Sequence, residues 1–136
     1  MVERDSMINK LISLRLPEGS YMVMGSGILD VLDIRRAVDV DLVVSEEVYV
    51  YLWEDGWNER VASNGAVGIE RDVFQAYAKW DDEGTIKTLN ELLVDAEWVN
   101  GVAYNSLAKL TLYKVRRGRE KDLADLELIN KYLELQ

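Results

Sequence analysis

Apolar residues recur at helical spacing near the start of the chain, at Met7, Ile8, Leu11, Ile12 and Leu14, before the run stops at Pro17-Glu18-Gly19. That pattern predicts an amphipathic helix closed by a turn. The unbroken apolar run Tyr21 to Met24 reads as a short buried strand entering Gly25. Leu29 and Leu32, with Ile28, support a short helix from Ser26 to about Ile34, and Val38 to Val44 reads as a second strand. Glu46 to Asp55 carries two signals: VYVYLW has strand propensity, while Ser45 followed by Glu46 and Glu47 fits a capped helix. Helix is favoured because the connectivity needs a crossover there. Asn58 to Ala62 and Ala66 to Ala78 read as strands around a hairpin turning at Ser63-Asn64-Gly65. Thr85 to Asp95 reads as helix with Ile86, Leu89, Leu92 and Leu93 on one side, and Glu97 to Tyr104 as a last strand. Ser106 caps a helix to about Arg117, and beyond Gly118 a closing helix carries Leu123, Leu126, Ile129 and Leu133. With no repeat and no linker, residues 1–136 are expected to form a single α/β or α+β domain, a mixed β-sheet flanked by helices.

The second strand raises a chemical question. Asp39 and Asp41 stand among Val38, Val40, Leu42, Val43 and Val44, so a strand-forming run places carboxylates where hydrocarbon is usually buried. Residues two apart on a strand share a face, so the two acids project together while Val38, Val40, Leu42 and Val44 face the core. Side by side they repel, unless a cation sits between them, and hard oxygen ligands suit Mg²⁺ or Mn²⁺. The competing reading is an edge strand with a solvated acidic face. Gly25-Ser26 directly follows a strand and opens a helix, where free backbone N–H groups favour a phosphate and glycine permits close approach. A structural turn also explains such a tripeptide.

Composition narrows the chemistry further. The chain has no cysteine and no histidine, which removes thiol nucleophiles, imidazole acid-base catalysis and Cys/His zinc sites. Carboxylates, Lys, Arg, Tyr, Ser and backbone groups remain. A net charge of −9 disfavours nonspecific DNA binding, which is driven by phosphate neutralisation. No apolar run approaches the roughly 18 to 20 residues of a membrane span, and the opening residues lack a signal-peptide layout. The expectation is a cytoplasmic protein with no membrane partner. Lys109, Lys114, Arg116, Arg117, Arg119 and Lys121 concentrate basic charge in one segment, most simply the solvated face of a helix.

The turn Met24-Gly25-Ser26-Gly27 followed by Asp39-Val40-Asp41 resembles the signature of the nucleotidyltransferase superfamily, the DNA polymerase beta-like fold. The segment KVRRGREKDLADLELI further resembles small bacterial nucleotidyltransferases related to abortive-infection and minimal-nucleotidyltransferase toxin-antitoxin proteins, which carry a helix lysine and then an Arg/Lys-Asp-x-x-Asp segment. The resemblance implies a nucleotidyltransferase-like fold with C-terminal helices, Gly25 and Ser26 as nucleotide phosphate contacts, and Asp39 and Asp41 as metal ligands. It implies a third carboxylate from a neighbouring strand, for which Asp72 fits and Glu70 competes. Lys114 and Lys121 would contact the nucleotide, and Asp122 matches the later motif. Lys114 reads equally as a snorkelling helix lysine and Asp122 as a first-turn acid. The implied activity is Mg²⁺- or Mn²⁺-dependent transfer of a nucleoside monophosphate from an NTP to a hydroxyl acceptor, on a small molecule, a protein or an RNA end, with release of pyrophosphate. The alternative is an inactive module of the same fold, acting as a nucleotide sensor or antitoxin-like partner. Tyr49, Tyr51, Trp53, Trp57, Trp80 and Trp98 read as core and its margins, with one available to stack on a base.

Overall fold

A computed structural model describes residues 7–136. The chain runs α1 (Met7–Ser13), β1 (Tyr21–Met24), α2 (Gly27–Val31), β2 (Val40–Val44), α3 (Glu46–Glu54), β3 (Asn58–Val61), β4 (Val67–Arg71) and β5 (Phe74–Tyr77). It continues through β6 (Lys79–Asp82), β7 (Thr85–Thr88), α4 (Leu89–Leu93), β8 (Glu97–Val99), β9 (Val102–Tyr104), α5 (Leu107–Arg117) and α6 (Glu120–Glu134). Seven strands form one mixed sheet in the order β3-β4-β5-β2-β1-β9-β8, and β6 and β7 form a separate two-stranded sheet. The class is the expected mixed α/β. β2 is central, antiparallel to β1 and parallel to β5, so it is not the acidic edge strand of the competing reading.

The sheet's two faces differ. On one, Val23, Val40, Leu42, Val44, Ile69 and Ala76 are at most 1 % exposed and pack under α1, α2, α3 and the C-terminal helices through Leu11, Ile28, Leu29, Leu52, Leu110 and Ile129. Full burial of each such Val, Leu or Ile side chain stabilises by about 1.5 to 3 kcal/mol, so this layer anchors β2. On the other face a smaller cluster, Met22, Met24, Val43 and Ala103 with Leu89 and Leu92 of α4, covers only part of the sheet. The remainder is open to a cavity. Gly68 lies on that open face, and a Cβ there would stand 2.6 Å from the Tyr77 ring and from the Ala76 carbonyl oxygen, so only glycine fits.

Several boundaries differ from the sequence expectation. Thr85 to Thr88 is strand, pairing Lys79↔Thr88 through Asp82↔Thr85 around Glu83-Gly84, both at positive φ; only Leu89–Leu93 is helical, and Ile86 is exposed. Glu97 to Tyr104 is a hairpin, with Asn100-Gly101 at positive φ between β8 and β9, the two-residue turn that Asn-Gly favours. The Ser26 to Ile34 helix shrinks to Gly27–Val31. β2 begins at Val40, leaving Val38 79 % exposed. β1 veers off after Met24 and β5 starts at Phe74, so residues before Val40 have no strand to pair with. Ser45 does cap α3, accepting the Val48 N–H, which decides the ambiguous segment for helix. Among the described residues no helix is long and apolar enough to cross a membrane.

Candidate functional site

One row of the ladder crosses the open face: Asn58↔Glu70, Glu70↔Gln75, Gln75↔Asp41 and Asp41↔Met24. Residues directly opposite in a ladder share a face, so Asp41 points into the open side, with Gln75 beside it on β5. Gly25 follows Met24 at φ 62°, and a Cβ built on it would lie 3.7 Å from Asp41 Oδ2. The glycine turn and the strand carboxylate therefore converge. They open into a cavity of about 700 Å³, walled by the sheet at Asp41 and Tyr77, by the β6–β7 hairpin at Trp80 and by α5 at Lys109 and Tyr113. Lys109 Nζ lies 2.8 Å from Asp82, and Arg116 pairs with Glu83, fastening the hairpin to α5.

Burial raises the Asp41 carboxyl above its ordinary value; Asp39 adds to the rise and Arg60 opposes it. A carboxylate so placed gains from a cation. Asp39 lies outside the strand and is exposed, although close enough to repel Asp41. The expected shared strand face is therefore not formed: β2 begins at Val40, and of the two acids only Asp41 lines the cavity.

The expected third carboxylate is not at this point. Asp72 occupies the two-residue turn between β4 and β5 at φ 55°, a left-handed position that Asp tolerates. Its side chain is 59 % exposed and lies 3.9 Å from Lys10 Nζ. Glu70 is two strands from Asp41, about 10 Å across the ladder, and meets Arg60 at 3.4 Å. Among the described residues no group of three or more carboxylates is placed to hold a metal ion. The strand position beside Asp41 is Gln75, 7 % exposed.

Lys114 is buried but does not point at the cavity. Its ammonium lies 2.8 Å from Asp125 and 3.5 Å from Asp122. Asp122 is fully buried and takes hydrogen bonds from Arg119 Nε at 2.6 Å and from the Arg119 backbone N–H. Those bonds hold its carboxyl down at about 2 against the effect of burial. Burial would raise Asp125, but bonds from Arg35 and Lys114 outweigh it and keep that carboxyl low. Lys121 is exposed on the outside of α6.

Sequence reasoning missed three residues. Gln75 carries no charge to mark it, and only the register β2↔β5 reveals its place. Asn105, at the end of β9, lines the cavity at 7 % exposure with its Oδ1 unpartnered. Arg35 stood in plain view, four residues before Asp39, but its contacts come from residues 90 and 9 positions away. Comparison with protein-family models, with curated proteins and with solved structures finds no match to this chain.

Proposed function

We propose that the chain is a metal-dependent nucleotidyltransferase, moving a nucleoside monophosphate from an NTP to a hydroxyl acceptor. One observation carries the reading: the left-handed Gly25 turn and the inward carboxylate of Asp41 meet at the floor of a cavity large enough for a nucleotide. Asp39 and Asp41 would hold a Mg²⁺ or Mn²⁺ ion, which would neutralise phosphate charge and act as Lewis acid. Ser26 and the turn backbone would seat the phosphates, and Trp80 or Tyr113 offers a face for the base. In the transfer the acceptor oxygen bonds to the α-phosphorus as the α–β anhydride breaks. Pyrophosphate leaves with the electron pair, and the hydroxyl proton passes to water, since Asp72 stands away from the site.

A second reading has its own observation. Gln75 is neutral where a third carboxylate would flank Asp41, which favours a domain that binds the nucleotide without turning it over, as a sensor or antitoxin-like partner. Titration of each Mg·NTP, followed by a pyrophosphate-release assay with candidate hydroxyl acceptors, separates the two. Release that disappears in Asp41→Asn supports transfer; tight binding with no release from any acceptor supports the module; no binding of any NTP defeats both.

A further inference from the structure

Arg35 lies between α2 and β2 and joins two parts of the molecule. Its Nε donates to Asp125 Oδ1 at 2.6 Å and its Nη2 to Asp125 Oδ2 at 2.7 Å, a two-pronged clamp. Nη2 also reaches Ser26 Oγ at 3.1 Å, and Nη1 donates to the Arg36 carbonyl at 2.8 Å. Behind Asp125 stands Lys114 at 2.8 Å, and behind that Asp122 with Arg119. A continuous chain of charged contacts thus runs from α5 and α6 to the hydroxyl of the glycine turn.

Three features give that chain a direction. Ser26 Oγ is not used to cap α2; because it accepts from Arg35, its own O–H is free to donate outward. Three cations (Arg35, Lys114, Arg119) face three carboxylates: Asp122 and Asp125 in direct contact, and Asp30, which accepts the Ala37 N–H at 2.8 Å and acts on Arg35 by its charge. The Asp125 and Lys114 side chains are 7 % and 6 % exposed, whereas Arg35 is 32 % exposed. Arg35 is thus the cation of the network that meets solvent beside Ser26, while Arg119, 37 % exposed, meets it at the other end. With five residues, α2 is too short for its dipole to attract an anion strongly.

We propose that Arg35 is the cation that receives nucleotide phosphate at the glycine turn, and that Asp125 and Lys114 are positioning residues acting through it. This rests on the nucleotide reading above. The C-terminal helix pair is then part of the site, which accounts for a buried Lys114 and an Asp-x-x-Asp pair on the inner side of α6.

The test titrates Mg²⁺-tripolyphosphate, which lacks base and sugar, into the parent, Arg35→Gln, Arg35→Lys and Asp125→Asn by calorimetry. Mn²⁺ alone is titrated in parallel by electron paramagnetic resonance, and melting temperatures are recorded. Arg35→Gln is expected to bind tripolyphosphate about 10- to 100-fold more weakly, the range for a lost charge-assisted bond, with Mn²⁺ affinity within about twofold of the parent. Arg35→Lys should recover only part, because the fork is lost, and Asp125→Asn should fall between. Parent-like tripolyphosphate affinity in both Arg35 variants overturns the inference and leaves the nucleotide reading standing. Failure of the parent itself to bind tripolyphosphate overturns both. A parallel loss of Mn²⁺ and tripolyphosphate affinity with a lowered melting temperature marks a structural role and also overturns it. If Arg35→Gln does not fold, Arg35→Lys decides.

Discussion

Asp41 owes its character to its burial and to five neighbours: Gly25 in front, Gln75 and Met24 on either side in the ladder, and the opposed charges of Arg60 and Asp39. The glycine turn and Asp41 were legible because each is a local pattern, a tight turn after an apolar run and an acid in a strand-forming run; Asp39, expected on the same strand face, falls before the strand begins. The third acid was not legible, because which residue of RDVFQAY stands beside Asp41 depends on where the β4–β5 turn falls. Putting Asp72 at that turn gives Gln75 the inward place. Asp72→Asn is accordingly expected to leave NTP affinity and any turnover within about twofold of the parent, as for an exposed substitution away from the site. On the proposed metal reading, Gln75→Glu should tighten Mn²⁺ binding by about tenfold, since a second carboxylate then stands one strand spacing from Asp41. A large loss in the first variant, or weaker Mn²⁺ binding in the second, would show the site to lie elsewhere. Gly25→Val should abolish tripolyphosphate binding in calorimetry, because a β-branched side chain is strained at φ 62°; unchanged affinity would make the turn purely structural.

Among the elements, α6 departs most from its sequence pattern. Of the expected stripe Leu123, Leu126, Ile129 and Leu133, Ile129 is buried and Leu126 half-buried, but Leu123 and Leu133 are 58 % and 52 % exposed, and Asp122 and Asp125 face inward with Ile129. Periodicity identified a helix but not its rotation, because the partners that admit buried carboxylates, Lys114 on α5 and Arg35 before β2, are distant in sequence. Capping signals fared better. Ser45 and Ser106 both accept the N–H three residues on, as their positions foretold. Hairpins were lost where Asn100-Gly101 were read through as strand interior and where Thr85 to Thr88, the return strand after Glu83-Gly84, was read as the start of a helix. The element-scale prediction concerns Lys114. Lys114→Met leaves Asp122 and Asp125 each short of a partner and should cost about 3 kcal/mol in chemical denaturation, the scale for breaking a buried ion pair from one side. A loss below about 0.5 kcal/mol, the scale of a surface change, would mean the network contributes nothing to the α5–α6 packing.

At the scale of the whole molecule the same network shapes the response to acid. The folded Asp122 carboxyl is held at about 2, below the roughly 3.9 of an unfolded aspartate. Its contribution is therefore fully present above about pH 4 and is lost as pH falls toward 2. Melting temperature measured from pH 5 to 2 should fall more steeply in the parent than in Asp122→Asn; equal slopes would remove Asp122 from the acid transition. By itself the sequence determined the mixed α/β class, most helices and strands, the glycine turn and the acid within β2, because each follows from propensity, capping or hydrophobic period within a few residues. It also excluded histidine and cysteine chemistry outright. Only the tertiary structure decided that Gln75 and not Asp72 flanks Asp41, that Lys114 faces Asp125 and not the cavity, and that Arg35 links α6 to Ser26. Those outcomes depend on strand register and helix rotation, which are set by contacts between residues far apart in the chain, where burial of a charge is tolerated only if a distant partner meets it.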